Sequence, residues 1–147
     1  MTKRVDAPDK ALLPRLADIH KAAFEPNSRG WSADEIAALG ERGGLYVSNA
    51  EDCFALFQLA EDEAELVTIA TDPASQRNGR AAEVLMSAMK DLRVKGAARV
   101  FLEVAADNTP AKRLYLALGF NQIAERRDYY RRADGTKADA LVFEARL

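Results

Sequence analysis

Between Leu66 and Val104 the hydrophobic period switches from two to about 3.6 and back, and this limits the fold more than any other feature. Glu65 to Thr71 alternates as a strand, and Asp72-Pro73 ends it. A polar loop runs to Gly79. Ala82, Leu85, Met86, Met89 and Leu92 then mark one face of a helix that closes at Gly96. Arg99 to Ala105 reads as strand again. A strand–helix–strand unit of this length places its strands parallel, joined by a right-handed crossover.

The flanking segments extend this unit on both sides. Leu12, Leu13, Leu16, Ile19, Ala23 and Phe24 recur at helical spacing and predict a first helix. Asn27-Ser28-Arg29-Gly30 reads as a loop. Ser32-Ala33-Asp34-Glu35 has the spacing of a capping box and predicts a short second helix ending near Gly40, with a break at Gly43-Gly44. Strand-like runs at Leu45 to Ser48, Cys53 to Ala60 and Glu65 to Thr71 are separated by acidic turns and predict an antiparallel meander. After Ala105, Asn108 or Thr109 can cap a helix with Pro110 in its first turn, Ala111, Leu114, Tyr115 and Leu118 on its inner face, and Gly119 at its end. Phe120 to Tyr130 and Asp139 to Arg146 predict two last strands around a turn at Asp134-Gly135. The expected architecture is a mixed α/β fold, mostly antiparallel around one parallel pair, in a single domain covering residues 1–147.

Composition excludes several function classes. A chain of 147 residues buries roughly two-thirds of its unfolded surface and needs no disulfide or metal for stability. A net charge of −2 gives no reason to expect direct nucleic-acid binding. One cysteine, Cys53, and one histidine, His20, cannot make a protein-only zinc site of the usual kind, so no metal is expected. Cys53 sits in an apolar strand run and reads as a core thiol. No segment approaches the roughly 20 apolar residues of a membrane helix. Met1 to Pro8 has no apolar core and does not read as a signal peptide, so the expected location is the cytoplasm.

The loop Gln76-Arg77-Asn78-Gly79-Arg80-Ala81 joins a strand to a helix start. The first turn of a helix carries unpaired N–H groups and partial positive charge, which suits an anion. Gly79, Ala81 and Ala82 leave the backbone open, and Arg77 and Arg80 add two cations suited to phosphate oxygens. On these residues alone the loop is an anion site or a solvated connector. It lacks the Gly-Lys-Ser/Thr ending of a Walker loop. Downstream, Glu103 is an acid within an apolar strand run. Turned inward it is a candidate general base, turned outward a surface acid, and alternation does not choose. Tyr115 shares a helix face with Ala111 and Leu118, and by spacing is core or catalyst. Asn108 by itself need be no more than a cap.

Taken together these residues resemble a known family. Gln76-x-x-Gly79-x-Ala81 is similar to the acyl-CoA pyrophosphate motif Q/R-x-x-G-x-G/A of the GNAT N-acetyltransferases. Asn108-x-x-Ala111-x-x-Leu114-Tyr115-x-x-Leu118-Gly119-Phe120, Arg126-x-x-Tyr129-Tyr130 and Ala140-Leu141-Val142 resemble its bacterial ribosomal-protein-alanine N-acetyltransferase branch. Gly30-Trp31-Ser32 falls where that branch often has a tryptophan. Two positions depart from the pattern: Ala81 stands where glycine is commoner, and Arg131 where proline usually follows the tyrosine pair.

The resemblance implies a GNAT fold whose central parallel pair is splayed, with acetyl-CoA as co-substrate. It implies backbone contacts from Ile69, Ala70 and Thr71 to the pantetheine arm, and pyrophosphate contacts from Gln76, Arg77, Asn78, Gly79, Arg80, Ala81 and Ala82. Asn108 would also touch CoA. Glu103 would be the general base and Tyr115 the general acid. The acceptor would be a peptide or protein N-terminus, in the first instance the N-terminal alanine of a small-subunit ribosomal protein. Other N-termini, lysine or a small amine are the alternatives within the same chemistry, and a non-catalytic acyl-CoA-binding regulatory module is the alternative outside it.

Overall fold

A computed structural model describes residues 2–25 and 29–147, so the loop expected at Asn27 to Gly30 lies partly outside the described residues. In chain order the elements are β1 (Thr2–Arg4), α1 (Leu12–Phe24), α2 (Ala33–Arg42), β2 (Gly43–Ser48), β3 (Cys53–Ala60), β4 (Glu63–Thr71), α3 (Arg80–Val94), β5 (Arg99–Ala105), α4 (Thr109–Ala117), β6 (Asn121–Arg131) and β7 (Lys137–Arg146). A short 3-10 turn at Pro73–Ser75 follows β4.

The local starts and stops have identifiable causes. Asp9 Oδ1 accepts from the N–H groups of Ala11 and Leu12 at 3.0 and 2.8 Å, covering two of the open donors at the head of α1. The capping box forms at α2: Ser32 Oγ accepts from the Glu35 N–H at 3.1 Å, and Glu35 Oε1 accepts from the Ser32 N–H at 3.2 Å. This helix runs past Gly40 to Arg42 and passes directly into β2, so Gly43-Gly44 is the start of a strand and not a break. Asn108 caps α4, its side chain accepting from the Ala111 N–H at 3.2 Å. The turn between β6 and β7 has Gly135 at φ +86°, a conformation that glycine adopts without steric penalty.

The strands form one seven-stranded sheet in the order β1-β2-β3-β4-β5-β7-β6. Only β4 and β5 are parallel; every other neighbouring pair is antiparallel. β1 was not foreseen. It is three residues long and pairs Thr2, Lys3 and Arg4 with Ser48, Val47 and Tyr46.

Each face of the sheet carries a core. One is built on α3 and α4, with Val84, Leu85, Ala88, Leu92, Tyr115, Phe120 and Phe143. The other is built on α1 and α2, with Leu12, Leu16, Ile19, Ile36, Phe54 and Leu56. β3 feeds both, sending Cys53, Ala55 and Phe57 to the first and Phe54 and Leu56 to the second, as a strand covered on both faces must. Met86, expected on the inner face of α3, is 57 % exposed, and Val84 and Ala88 point inward in its place.

Two irregularities in the sheet create the site. First, Leu56 pairs with Thr68 and Phe57 with Leu66, so Val67 is one extra residue opposite no partner, a β-bulge. Before it, Ala64 and Leu66 face the α3 side. After it, Ile69 faces that side and Ala70 the α1 side. Second, β4 and β5 pair only at Glu63–Arg99, Ala64–Val100 and Glu65–Phe101. From Leu66 onward the two strands part, while β4 stays paired with β3 and β5 with β7. The expected splay is therefore present, and it begins next to the bulge.

Candidate active site

The parting of β4 and β5 opens a cleft of about 800 Å³. Leu66, Val67, Thr68 and Ile69 form one wall. Leu102 to Ala105 form the other, continued by Asp107, Asn108, Pro110, Ala111 and Tyr115. His20, Phe24 and Trp31 close one end, and Tyr130, Arg131 and Arg132 from the β6–β7 hairpin flank the other wall. Arg132 forms a two-pronged ion pair with Asp107, one of its contacts at 2.8 Å, which binds the hairpin to the β5–α4 connection.

A slot through a sheet is open to side chains from both faces. Val100, Leu102 and Val104 of β5 enter the α3–α4 core, so Glu103 points to the opposite face, while Tyr115 belongs to the α3–α4 core. Both line the same cleft. The Glu103 side chain is 24 % exposed and its Oε1 lies 3.3 Å from Arg126 Nη2. Tyr115 is 5 % exposed, packed at 5.6 Å from the Phe120 ring and 6.3 Å from Phe143. Burial pushes its phenol well above the usual tyrosine range, with Tyr130 adding to the shift. Tyr130 is raised as well, first by burial and then by the Glu103 charge.

Of the residues singled out in the sequence, Glu103, Tyr115, Asn108 and Ile69 line the cleft. Ala70 and Thr71, at the end of β4, and the run from Gln76 to Ala82 beyond it lie outside its lining. Gln76 Nε2 donates back to the Thr71 carbonyl at 3.4 Å. Arg77 and Gly79 adopt positive φ, +67° and +73°. Gly79 occupies the cap position of α3 with no side-chain cap, which leaves the first N–H groups of the helix open to an anion. Arg80 is not the unengaged cation its position suggests: its Nε donates to Asp52 Oδ2 at 3.0 Å. Burial alone would raise Asp52, but hydrogen bonds from Ser48 and Arg80 outweigh it and hold the carboxyl below its usual range. Cys53 is buried, its thiol pushed up to about 11 by burial against the opposing Thr71 hydrogen bond, so it remains protonated as a core thiol.

A Cβ at position 79 would meet nothing within 4 Å, so the cost of Gly79→Ala is backbone strain alone. That strain is about 1–2 kcal/mol for a residue with a Cβ at left-handed φ. A lower melting temperature is expected. Binding of a pyrophosphate-bearing ligand weakened well beyond that stability loss would show that the open backbone also serves the phosphates.

His20 was not singled out as a site residue. It is 2 % exposed, stacked between Phe24 at 4.4 Å and Trp31 at 5.1 Å. Burial, helped by Arg29 and opposed by Glu35, lowers its pKa to about 4. Above about pH 6.5 both folded and unfolded chains hold this ring neutral. Between there and pH 4 the unfolded chain takes up a proton that the folded chain refuses, so stability falls with pH, by about 3 kcal/mol in all. Denaturant unfolding at pH 7 and pH 5 checks this, with His20→Gln expected to lose that share of the pH dependence.

Among the described residues no group of three His, Cys, Asp or Glu side chains is placed to hold a metal ion, and no helix is long and apolar enough to cross a membrane.

Comparison with known proteins agrees with this geometry. The family model described as acetyltransferase (GNAT) family matches residues 13–120. The ribosomal protein bS18-alanine N-acetyltransferase of Haemophilus ducreyi is 36 % identical over 135 residues, 87 % of this chain and 89 % of that protein. Its namesake in Salmonella typhimurium is 38 % identical over 125 residues, 81 % of this chain and 84 % of that one. The crystal structure of the ribosomal-protein-S18-alanine N-acetyltransferase from Escherichia coli superposes with a TM-score of 0.83 at 33 % identity, covering 99 % of this chain and 94 % of that one.

Proposed function

The chain belongs to the acetyltransferase (GNAT) family, and from that premise we propose that it acetylates the N-terminal alanine of ribosomal protein bS18 with acetyl-CoA. The observation that carries this reading is the slot between β4 and β5, in which a carboxylate from one face and a phenol from the other line a single cleft. The similarity to the bS18-alanine enzymes extends over most of the chain and supports the choice of acceptor. We read residues 1–147 as one cytoplasmic domain.

The open edge of β4 from Leu66 onward offers backbone donors and acceptors of the kind an extended amide-containing arm pairs with, and Ile69, Ala70 and Thr71 are assigned that role. The exposed turn from Gln76 to Gly79 and the open N–H groups of Arg80, Ala81 and Ala82 suit a pyrophosphate. Asn108, beside the cleft, is assigned to the same ligand. Glu103 takes a proton from the acceptor amine, directly or through water. Tyr115 donates its phenolic proton to the departing thiolate. No residue of the chain need be acylated: Cys53 is buried and protonated, and the hydroxyl beside His20, that of Thr68, accepts a hydrogen bond from the ring and does not give one to it.

An α-amine ionises near pKa ~7.7–8.0 and lysine near ~10.4, so an N-terminus presents more of the neutral nucleophile near pH 7 and asks less of Glu103. The reading is tested by incubating the protein and acetyl-CoA with a short alanine-terminated peptide, the same peptide blocked at its N-terminus, a lysine-containing peptide and a polyamine. Mass spectrometry should find acetyl on the free N-terminal alanine. Acetyl on lysine or the polyamine alone would move the acceptor to that class, and binding of acetyl-CoA with no turnover on any amine would favour a regulatory module.

A further inference from the structure

We infer that His20 is a positioning residue, which ties the backbone of Trp31 to Thr68 on the open edge of β4 and so holds two parts of the cleft lining in register. This rests on the acceptor reading above. The only histidine of the chain, lining a cleft where an amine must lose a proton, would ordinarily be taken for the base. Its hydrogen bonds argue otherwise. The Trp31 backbone N–H can only donate, and it reaches His20 Nδ1 at 3.1 Å. Nδ1 is therefore the acceptor, and the proton of the neutral ring sits on Nε2. Nε2 lies 3.1 Å from Thr68 Oγ1 and donates to it. The one lone pair of the ring is thus consumed by a backbone amide, and none is left for the substrate.

The partners show what the clamp holds. Trp31 lines the cleft and stacks on the imidazole. Thr68 directly follows the Val67 bulge and precedes Ile69, where β4 has left β5. The connection between α1 and α2 is thereby fastened to the stretch of β4 at which the slot begins. Protonation would replace the Nδ1 acceptor with a donor aimed at the Trp31 N–H. Burial keeps the ring neutral throughout the working range of an enzyme, with Arg29 acting in the same sense and Glu35 in the opposite one. The clamp is closed whenever the amine is being deprotonated.

His20→Phe keeps a ring between Phe24 and Trp31 and removes both nitrogens, whereas His20→Gln keeps one acceptor and one donor. The Phe variant should raise KM for the alanine-terminated peptide about tenfold, the scale of one lost buried hydrogen bond, and speed hydrogen exchange at the Trp31 amide by at least about as much. Its kcat should stay within about twofold, and the acid limb of its pH–rate profile should not move. The Gln variant should recover part of the loss in KM. A kcat lower by about a hundredfold or more with the acid limb displaced would make His20 the base and overturn the clamp. A Trp31 amide exchanging as in wild type would also overturn it. Should His20→Phe not fold, Thr68→Val in its place is expected to raise the peptide KM in the same direction, and an unchanged KM would count against the clamp. Wild-type protein that leaves the peptide unacetylated would refute the acceptor reading instead, while the Trp31 exchange measurement would still decide the clamp.

Discussion

Tyr115→Phe is expected to lower kcat by about 10²–10⁴-fold, the range of a positioned proton donor, while acetyl-CoA still binds. The ring fills a buried space between Phe120 and Phe143, and phenylalanine fills the same space, so only the hydroxyl is lost. Fold stability should change by less than about 1 kcal/mol. Burial raises the phenol well above its ordinary value, which keeps the proton in place before reaction. It also makes the phenol a poorer acid toward a thiolate, whose thiol ionises near ~8.5 in water. The same dry surroundings raise the proton affinity of a thiolate formed beside it, so the two shifts offset each other. The check is thiol release in single-turnover conditions, where product departure does not mask chemistry. Unchanged single-turnover rates would remove Tyr115 from the reaction.

Glu103→Gln is expected to cost on the order of a hundredfold at pH 7, and more as the pH falls. The reason lies in the substrate: below its pKa of about 7.7–8.0 the α-amine is mostly charged and must give up a proton before attack. Well above that pH the amine arrives neutral and the loss should shrink. Glutamine keeps the size of the side chain and removes its charge, leaving Arg126 without this partner. The Arg126 side chain is 56 % exposed and remains hydrated, so little stability should be lost. Rates with the alanine-terminated peptide across pH 6 to 9 decide the matter. A constant ratio of wild type to variant over that range would exclude base catalysis by this residue.

How far the sequence could be read depended on how locally each feature is encoded. β5 runs over the residues that alternation predicts, β3 over the apolar run that reads as strand, and α1 begins and ends where its apolar spacing does, because burial leaves a pattern in the sequence. The capping box at Ser32 and Glu35 is likewise a four-residue signal with a local partner. Gly43-Gly44 misled because a glycine pair reads as a break, whereas sheet pairing with Gln58 and Phe57 draws both residues into β2. Met86 misled because one helical face was drawn a residue too wide. β1 has three residues and no period to detect.

The candidate site divides in the same way. Glu103 and Tyr115 stood out only as members of a spaced set, since alternation leaves a strand acid facing either way. His20 offered no such spacing. Its partners, Trp31 and Thr68, lie 11 and 48 residues away, and only the folded chain brings them together. Arg80 was legible as a cation, but its pairing with Asp52, 28 residues back, was not. Asp52 owes its place to long-range pairing, for which a single sequence holds no local mark; Arg126 and Tyr130 were legible as a motif but not as neighbours of Glu103.

The Val67 bulge has a consequence for how such a site can change over time. Skipping Val67 restores strict alternation from Ala64 through Ala70, so every side chain of β4 already faces the side it would face in a regular strand. The facing of β4 beside the slot is thus set by a count of residues. Substitution can therefore wander through the lining, retuning which amine fits, without closing the gap. Loss of this one residue is expected to make β4 regular against β3 while leaving each remaining side chain on its present face. Lineages of such a chain are free to vary in spelling there, and bound in length.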